Sequence, residues 1–172
     1  TLDMDFETRS DVSVEAYQDM IARKTGALVE ACLELGGRIG GADGATLEAL
    51  RGAGYHIGQA FQMQDDLLDL VADDDAWGKP IGGDLVEGKK TFLLLRAIER
   101  ATGSEKAWFE KIIAEQGLPP AGIHEARRRM ETLGVLDEAR HEILTHTDRA
   151  LAGLRALPDT PARAALLHVV AR

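Results

Sequence analysis

An all-α fold is what this sequence predicts, and three observations predict it. Aromatic residues make up only 5% of the 172 residues while Ala, Leu, Glu and Arg abound, a composition that leans towards helix. Segments with apolar residues at helical spacing recur between breaks rich in glycine or proline. No alternating strand pattern of convincing length interrupts them. The length fits one modest domain or part of a larger one, with apolar content of 45% and charged content of 28% that are ordinary for a globular chain.

Taken in order, the chain opens Thr1-Leu2-Asp3-Met4-Asp5-Phe6 without an initiator Met, as expected of a processed, cleaved or incompletely observed polypeptide. Ser13 is placed to cap a helix with Glu15 in its first turn. That helix is expected from Val14 to Leu35 and to stop at Gly36-Gly37, where glycine can take the left-handed terminal geometry. Tyr17, Lys24, Leu28 and Ala31 follow one side of it, and Lys24-Thr25-Gly26-Ala27 sets a cation and a hydroxyl beside small residues. On its own Lys24 reads as a surface lysine whose stem covers apolar atoms. After the turn-rich Gly40-Gly41-Ala42-Asp43-Gly44, a second helix extends from Thr46 to Ala72. It contains Gly52, Gly54 and Gly58, each costing about 1 kcal/mol relative to Ala, so each calls for close packing or for room beside a ligand.

Late in this helix comes Phe61-Gln62-Met63-Gln64-Asp65-Asp66-Leu67-Leu68-Asp69. At about 3.6 residues per turn, Gln62, Asp65, Asp66 and Asp69 fall within an arc of roughly 100°. Like charges so close repel and weaken a helix, so the stripe is either fully solvated or neutralised by a cation. An isolated D-D-x-x-D would be read as solvated. Here it leads into Asp73-Asp74-Asp75 and a loop, Trp77 to Thr91, with four glycines and Pro80. Lys79 and Lys89 flank Asp84 in that loop, and loops are where site residues concentrate. The spacing around Gly78-Lys79 is wrong for a Walker loop.

Further helices are expected over Thr91–Ala101, with a buried Phe92-Leu93-Leu94-Leu95 run, then from Ser104, as cap, through Gln116. Pro119-Pro120 separates these from helices over Ala121–Thr132, Val135–Leu157 and Ala162–Arg172, with Pro161 in a first turn.

Charge and composition exclude several classes. With 20 basic and 29 acidic residues the formal charge is −9, which disfavours nucleic acid as a general partner; an anionic ligand must be drawn in by local lysines or bound metal. No apolar run approaches the ~20 residues that cross a bilayer, and nothing at the start resembles a signal peptide; the expected home is the cytoplasm. Cys32 is the only cysteine, so no intrachain disulfide forms, and it is expected to be a small buried residue. His141 and His146 stand roughly 140° apart on a helix and fail as a metal pair. Arg127-Arg128-Arg129 spreads around its helix as solvated charge, and His56, His124 and His168 have no partner visible in sequence.

Four features nevertheless stand in one order: Tyr17 ahead of Lys24-Thr25; Gly58-Gln59-Ala60-Phe61-Gln62 running into Asp65-Asp66-Leu67-Leu68-Asp69; Gly78-Lys79; and Gly82-Gly83-Asp84 followed by Gly88-Lys89-Lys90-Thr91. This order resembles the C-terminal half of the trans-type polyprenyl diphosphate synthases, the farnesyl and geranylgeranyl diphosphate synthase family. The resemblance covers Tyr17 to Thr91, and the helical remainder is compatible with it. It implies the isoprenoid synthase type I helical bundle, C-terminal portion only, with residues 1–172 forming part of a single domain. It implies a Mg²⁺-dependent prenyltransferase that ionises an allylic diphosphate and condenses it with isopentenyl diphosphate with loss of a proton, usually as a homodimer. Magnesium prefers oxygen ligands and commonly bridges one or two carboxylates to phosphates; metal and lysines together can stabilise charge on a departing diphosphate. By resemblance, Asp65 is the direct metal ligand, with Asp66 and Asp69 coordinating more weakly or through water. Lys24, Lys79 and Lys89 hold the allylic diphosphate, Thr25 and Gln62 face the reacting carbon, and Asp84 orients a lysine or a metal-bound water.

The family's first aspartate-rich motif is not in this sequence, nor are the basic residues that bind isopentenyl diphosphate. The expectation is a fragment of a longer enzyme, or one piece of a split one, inactive by itself. Three rivals share parts of the pattern: a class I terpene cyclase, a non-catalytic subunit of a heteromeric synthase, and a plain helical interaction module.

Overall fold

Serine 13 starts the first helix as its side chain allows: Ala16 N–H donates to Ser13 Oγ at 3.2 Å. In the computed structural model, which describes residues 12–72 and 81–171, helix α1 runs Val14–Ile21. It passes through a π-helical turn, Ala22–Gly26, into α2, Ala27–Ile39. Then come α3, Gly44–Val71, a one-turn α4, Gly83–Val86, α5, Phe92–Arg100, and α6, Gly103–Ala114. A 3₁₀ turn, Pro120–Gly122, leads to α7, Ile123–Thr132, α8, Val135–Arg155, and α9, Pro161–Val170. The all-α expectation holds throughout the described residues.

Four local expectations are corrected. Helix α2 does not stop at Gly36-Gly37 but continues to Ile39, because the left-handed residue is Gly41, φ 74°. Ala42 N–H reaches Gly37 O at 2.9 Å and Gly41 N–H reaches Arg38 O at 3.1 Å, the paired bonds that close a glycine-terminated helix. The segment around Asp84 is not all loop, since α4 forms there. Ser104 lies inside α6, whose N-cap is Thr102 with no side-chain bond. Cys32 is exposed rather than buried; the α2 residues that approach α3 closely are Glu30 and Gly37.

The described residues fall into two compact units, the first within Thr1–Met20 and Met63–Arg140, the second within Ile21–Gln62 and His141–Arg172. In the first, α5 packs against α6. Phe92, Leu93, Leu94 and Leu95 are all buried, as their unbroken apolar run requires, and Phe109, Ile123, Met130 and Leu136 are buried in the same unit. Arg96 and Arg100 both reach Glu138, at 3.1 and 2.8 Å, tying α5 to α8. In the second, Leu50 and Ala53 of α3 cluster with Leu154 and Leu157, and Leu33, Leu166 and Leu167 pack around them. Thr160 caps α9 by accepting from Arg163 N–H at 3.2 Å, with Pro161 at the first turn as expected.

Candidate active site

The acidic stripe on α3 divides by environment. Asp65 is exposed, whereas Asp66 and Asp69 are buried, 6% and 7% exposed. A buried carboxylate needs donors, and each has found one in the first unit. The Tyr17 hydroxyl of α1 donates to Asp66 Oδ2 at 2.5 Å. Burial, reinforced by the charges of Asp66, Asp84 and Asp65, holds the Tyr17 hydroxyl protonated far above the usual phenol range, so it remains a donor at any working pH. Asp69 instead organises the turn into α4: its Oδ2 accepts from Asp84 N–H at 3.0 Å and its main-chain O accepts from Gly82 N–H at 2.6 Å. The carboxylate thus sits at the start of α4, satisfying donors that a helix N-terminus leaves open.

Through α4 the stripe is linked to a cation. Lys89 Nζ lies 2.9 Å from Asp84 Oδ1 and 2.9 Å from Glu87 Oε2. The hydrogen bond to Glu87, and after it that to Asp84, push the ammonium above the ordinary lysine range. Lys89 is half exposed, 53%, so this is a surface pairing that a stronger anion can compete for. Lys79, the other lysine of this segment expected to bind diphosphate, lies outside the described residues, as does Gly78.

The second unit carries the remaining candidates. Lys24 and Thr25 fall within the π-helical turn, a rare distortion often found at functional sites, and Lys24 is exposed. Thr25 Oγ1 donates to Gln62 Oε1 at 3.0 Å, so the two residues expected near the reacting carbon are in contact. What allows it is the glycine pair below them: a Cβ on Gly58 would stand 2.4 Å from Gly26 Cα, and one on Gly54 2.7 Å from Glu30 Cα. Close backbone packing, rather than room beside a ligand, accounts for those two glycines. Nothing lies within 4 Å of a Cβ on Gly52, and no contact explains it.

Several features gave no sequence signal. The π turn interrupts the helical spacing that put Tyr17 on one side with Lys24, Leu28 and Ala31: Tyr17 is 2% exposed and Leu28 69%. His146, rejected as a partner of His141, pairs with His56 at 2.9 Å between their Nδ1 atoms. Burial holds both imidazoles below the usual histidine range, helped at His56 by the neighbouring His146 and Arg149 and opposed at His146 by Glu142.

A helical fold with one exposed and two anchored carboxylates on α3 agrees with the fold that the sequence resemblance implies. The polyprenyl synthetase family model matches residues 1–130, and the chain belongs to that family. It is 39% identical over 169 residues to the short chain isoprenyl diphosphate synthase of Methanothermobacter thermautotrophicus, covering 98% of this chain and 51% of that protein. Among solved structures, it superposes on a geranylgeranyl pyrophosphate synthetase from Pyrococcus horikoshii with a TM-score of 0.87 and 36% identity, covering 99% of this chain and 51% of the other. A polyprenyl synthase of Caulobacter crescentus CB15, solved with calcium and isoprenyl diphosphate, gives 0.87 and 33%, with 98% and 52% covered. The chain therefore spans about half the length of the relatives it matches. These likenesses support the prenyl synthase reading and give none to the cyclase, the non-catalytic subunit or the plain helical module.

Proposed function

We propose that these residues form part of a polyprenyl diphosphate synthase that elongates an allylic diphosphate with isopentenyl diphosphate in the presence of Mg²⁺. The observation that carries the reading is the division of labour along α3, where Asp65 is exposed while Asp66 and Asp69 are each fixed by a donor. All three offer oxygen, the donor a hard divalent cation prefers, and magnesium typically takes only one or two carboxylates alongside phosphate oxygens. Among the described residues no group of three His, Cys, Asp or Glu side chains is arranged to hold a metal by itself. Asp65 would hold it, and Asp66 and Asp69 would bind more weakly or through water. When bound, the metal supplies positive charge that stabilises a departing diphosphate.

The side chains do the rest. Lys24, Lys79 and Lys89 bind the allylic diphosphate, Lys89 exchanging its pairing with Asp84 and Glu87 for phosphate oxygens. Asp84 keeps that lysine oriented between turnovers. Thr25 and Gln62, held together at 3.0 Å, turn oxygen lone pairs towards the developing allylic cation. Tyr17 keeps Asp66 in place by donating to it. The resemblance further implies a cytoplasmic homodimer; among the described residues no helix is long and apolar enough to cross a membrane.

The test uses the complete native protein, an allylic diphosphate and isopentenyl diphosphate. Elongated product should form only when both substrates and Mg²⁺ are present, and Asp65→Asn should lower the rate about 100-fold or more with an unchanged melting temperature. A cyclic product from the allylic diphosphate alone would overturn the reading, as would an Asp65→Asn variant of normal activity.

A further inference from the structure

Helix α4 is a single turn, Gly83–Val86, too short to hold its own shape, because a first helical turn fixes several dihedrals for one hydrogen bond. Its neighbours must fix it, and Lys89 with it. Asp69 secures its start, as described above. The rest of the segment lies on the connection between α6 and α7, residues 115–122, within the same compact unit. Leu118 N–H donates to Leu85 O at 2.9 Å, and Leu85 is buried. A Cβ on Gly88 would stand 2.7 Å from Gln116 C, and one on Gly117 2.0 Å from Val86 O, so the two backbones meet with no side chain between them. The connection is itself pinned to α6. Gly117 N–H reaches Ile112 O at 2.9 Å and Gln116 N–H reaches Ile113 O at 3.2 Å, the paired bonds of a helix end at which glycine is usual. Here Gln116 takes the left-handed place, φ 57°, the only residue other than glycine to do so among the described residues. A strained backbone of this kind persists only where its surroundings over-determine it.

We propose that the Gln116-Gly117-Leu118 turn is a positioning element for Lys89, and that Gly117 is its decisive residue. Lys89 follows Gly88 directly in the chain, so the contact of Gly88 with Gln116 and Gly117 sets where the lysine's main chain begins. Lys89 N–H donates to Asp84 O at 2.8 Å and its Nζ donates to Asp84 Oδ1 at 2.9 Å. Lys89 and Asp84 therefore shift together with the backbone that the turn holds. A small shift matters, since misplacing a group by about 1 Å can cost about 100-fold in rate. Residues 116–118 lie outside the ordered motifs, which end at Thr91, so spacing along the chain gives no sign of this role. The inference rests on the reading of Lys89 as a ligand of the allylic diphosphate.

The experiment uses the complete native protein with Mg²⁺, isopentenyl diphosphate and whichever of dimethylallyl, geranyl and farnesyl diphosphate the wild type elongates fastest. Gly117→Ala should raise KM for that allylic substrate about 10-fold or more and leave KM for isopentenyl diphosphate within about 2-fold. On a Lys89→Ala background the same substitution should add less than about 2-fold, since the group it displaces is gone. Leu136→Ala, at a buried position of α8 outside this contact, should lower the melting temperature and move neither KM. Four results overturn the inference: an unchanged allylic KM in Gly117→Ala, an equal rise in both KM values, effects of Gly117→Ala and Lys89→Ala that multiply, or the same KM split in Leu136→Ala. Should Gly117→Ala fail to fold, Gly88→Ala presses on the same turn with a smaller overlap, and the same expectations and refutations apply to it. Lys89→Ala by itself separates this inference from the site reading. A raised allylic KM there, beside a normal one in Gly117→Ala, removes the inference alone; an unchanged allylic KM in Lys89→Ala removes the lysine from the site and the inference with it.

Discussion

Tyr17 shows how much one hydroxyl decides. Its bond to a buried carboxylate belongs to the charge-assisted class, worth about 1.5–3 kcal/mol, and removing the donor leaves Asp66 with less compensation for burial. Tyr17→Phe should therefore lower stability by about 1.5–3 kcal/mol in urea titration with an unchanged denaturant slope; a loss under about 0.5 kcal/mol would mean that Asp66 does not depend on Tyr17. Sequence spacing put Asp65, Asp66 and Asp69 on one face of α3, and that much was legible because all three share one uninterrupted helix. Which of them would be exposed was not, because it depends on α1 delivering Tyr17 and on α4 delivering the Asp84 N–H. The expectation for Cys32 failed for the same reason: residue type gives an average burial, whereas the side of α2 that meets α3 sets the actual one.

At the scale of elements, the α3 glycines separate into two kinds that look alike in sequence. Gly58→Ala forces a Cβ against the Gly26 backbone at 2.4 Å; backbone cannot swing aside, so the variant should lose about 1–3 kcal/mol, as overpacked sites do. Because Thr25 adjoins Gly26, the same variant in the complete enzyme should also lower kcat by pulling Thr25 away from Gln62. Gly52→Ala meets nothing within 4 Å and should gain about 1 kcal/mol from helix propensity alone. Thermal denaturation of the pair checks this, and equal effects would show that the close α3 approach is not what Gly58 serves. Helix positions were legible from periodicity and end signals, including Ser13 and Pro161. The π turn was not, since Lys24-Thr25-Gly26 is compatible with an unbroken α-helix until Gly26 must meet Gly58.

Across the whole molecule, ionisable groups set a direction for acid stability. His56 and His146 titrate below their ordinary value in the folded state, chiefly through burial. Glu34 is held down to about 2 by hydrogen bonds from Arg51 and then Arg38, and Glu125, Glu87, Asp43 and Glu15 are also lowered. A depressed folded value gives stability that is complete above the unfolded value and lost as pH falls through the folded one. The melting temperature should therefore begin to fall below about pH 6.5, with the histidines, and fall further below about pH 4.5, with the carboxylates. A His56→Gln variant should flatten the first phase only. A melting temperature constant between pH 7 and 5 would contradict the histidine assignment.

By itself the sequence determined the helical class, most helix limits, the shared face of Gln62, Asp65, Asp66 and Asp69, and the ordered motifs that mark the polyprenyl synthetase family. Each of these is a matter of spacing along the chain, which helical periodicity converts directly into geometry. Only the tertiary structure decided that Asp66 and Asp69 are anchored while Asp65 stays exposed, that Lys89 pairs with Asp84, that Thr25 touches Gln62 across a glycine contact, and that α2 exposes Leu28, Leu35 and Ile39. Those outcomes depend on contacts between residues 5, 15, 37 and 49 positions apart or on which face meets a neighbouring helix, and no helical period encodes either.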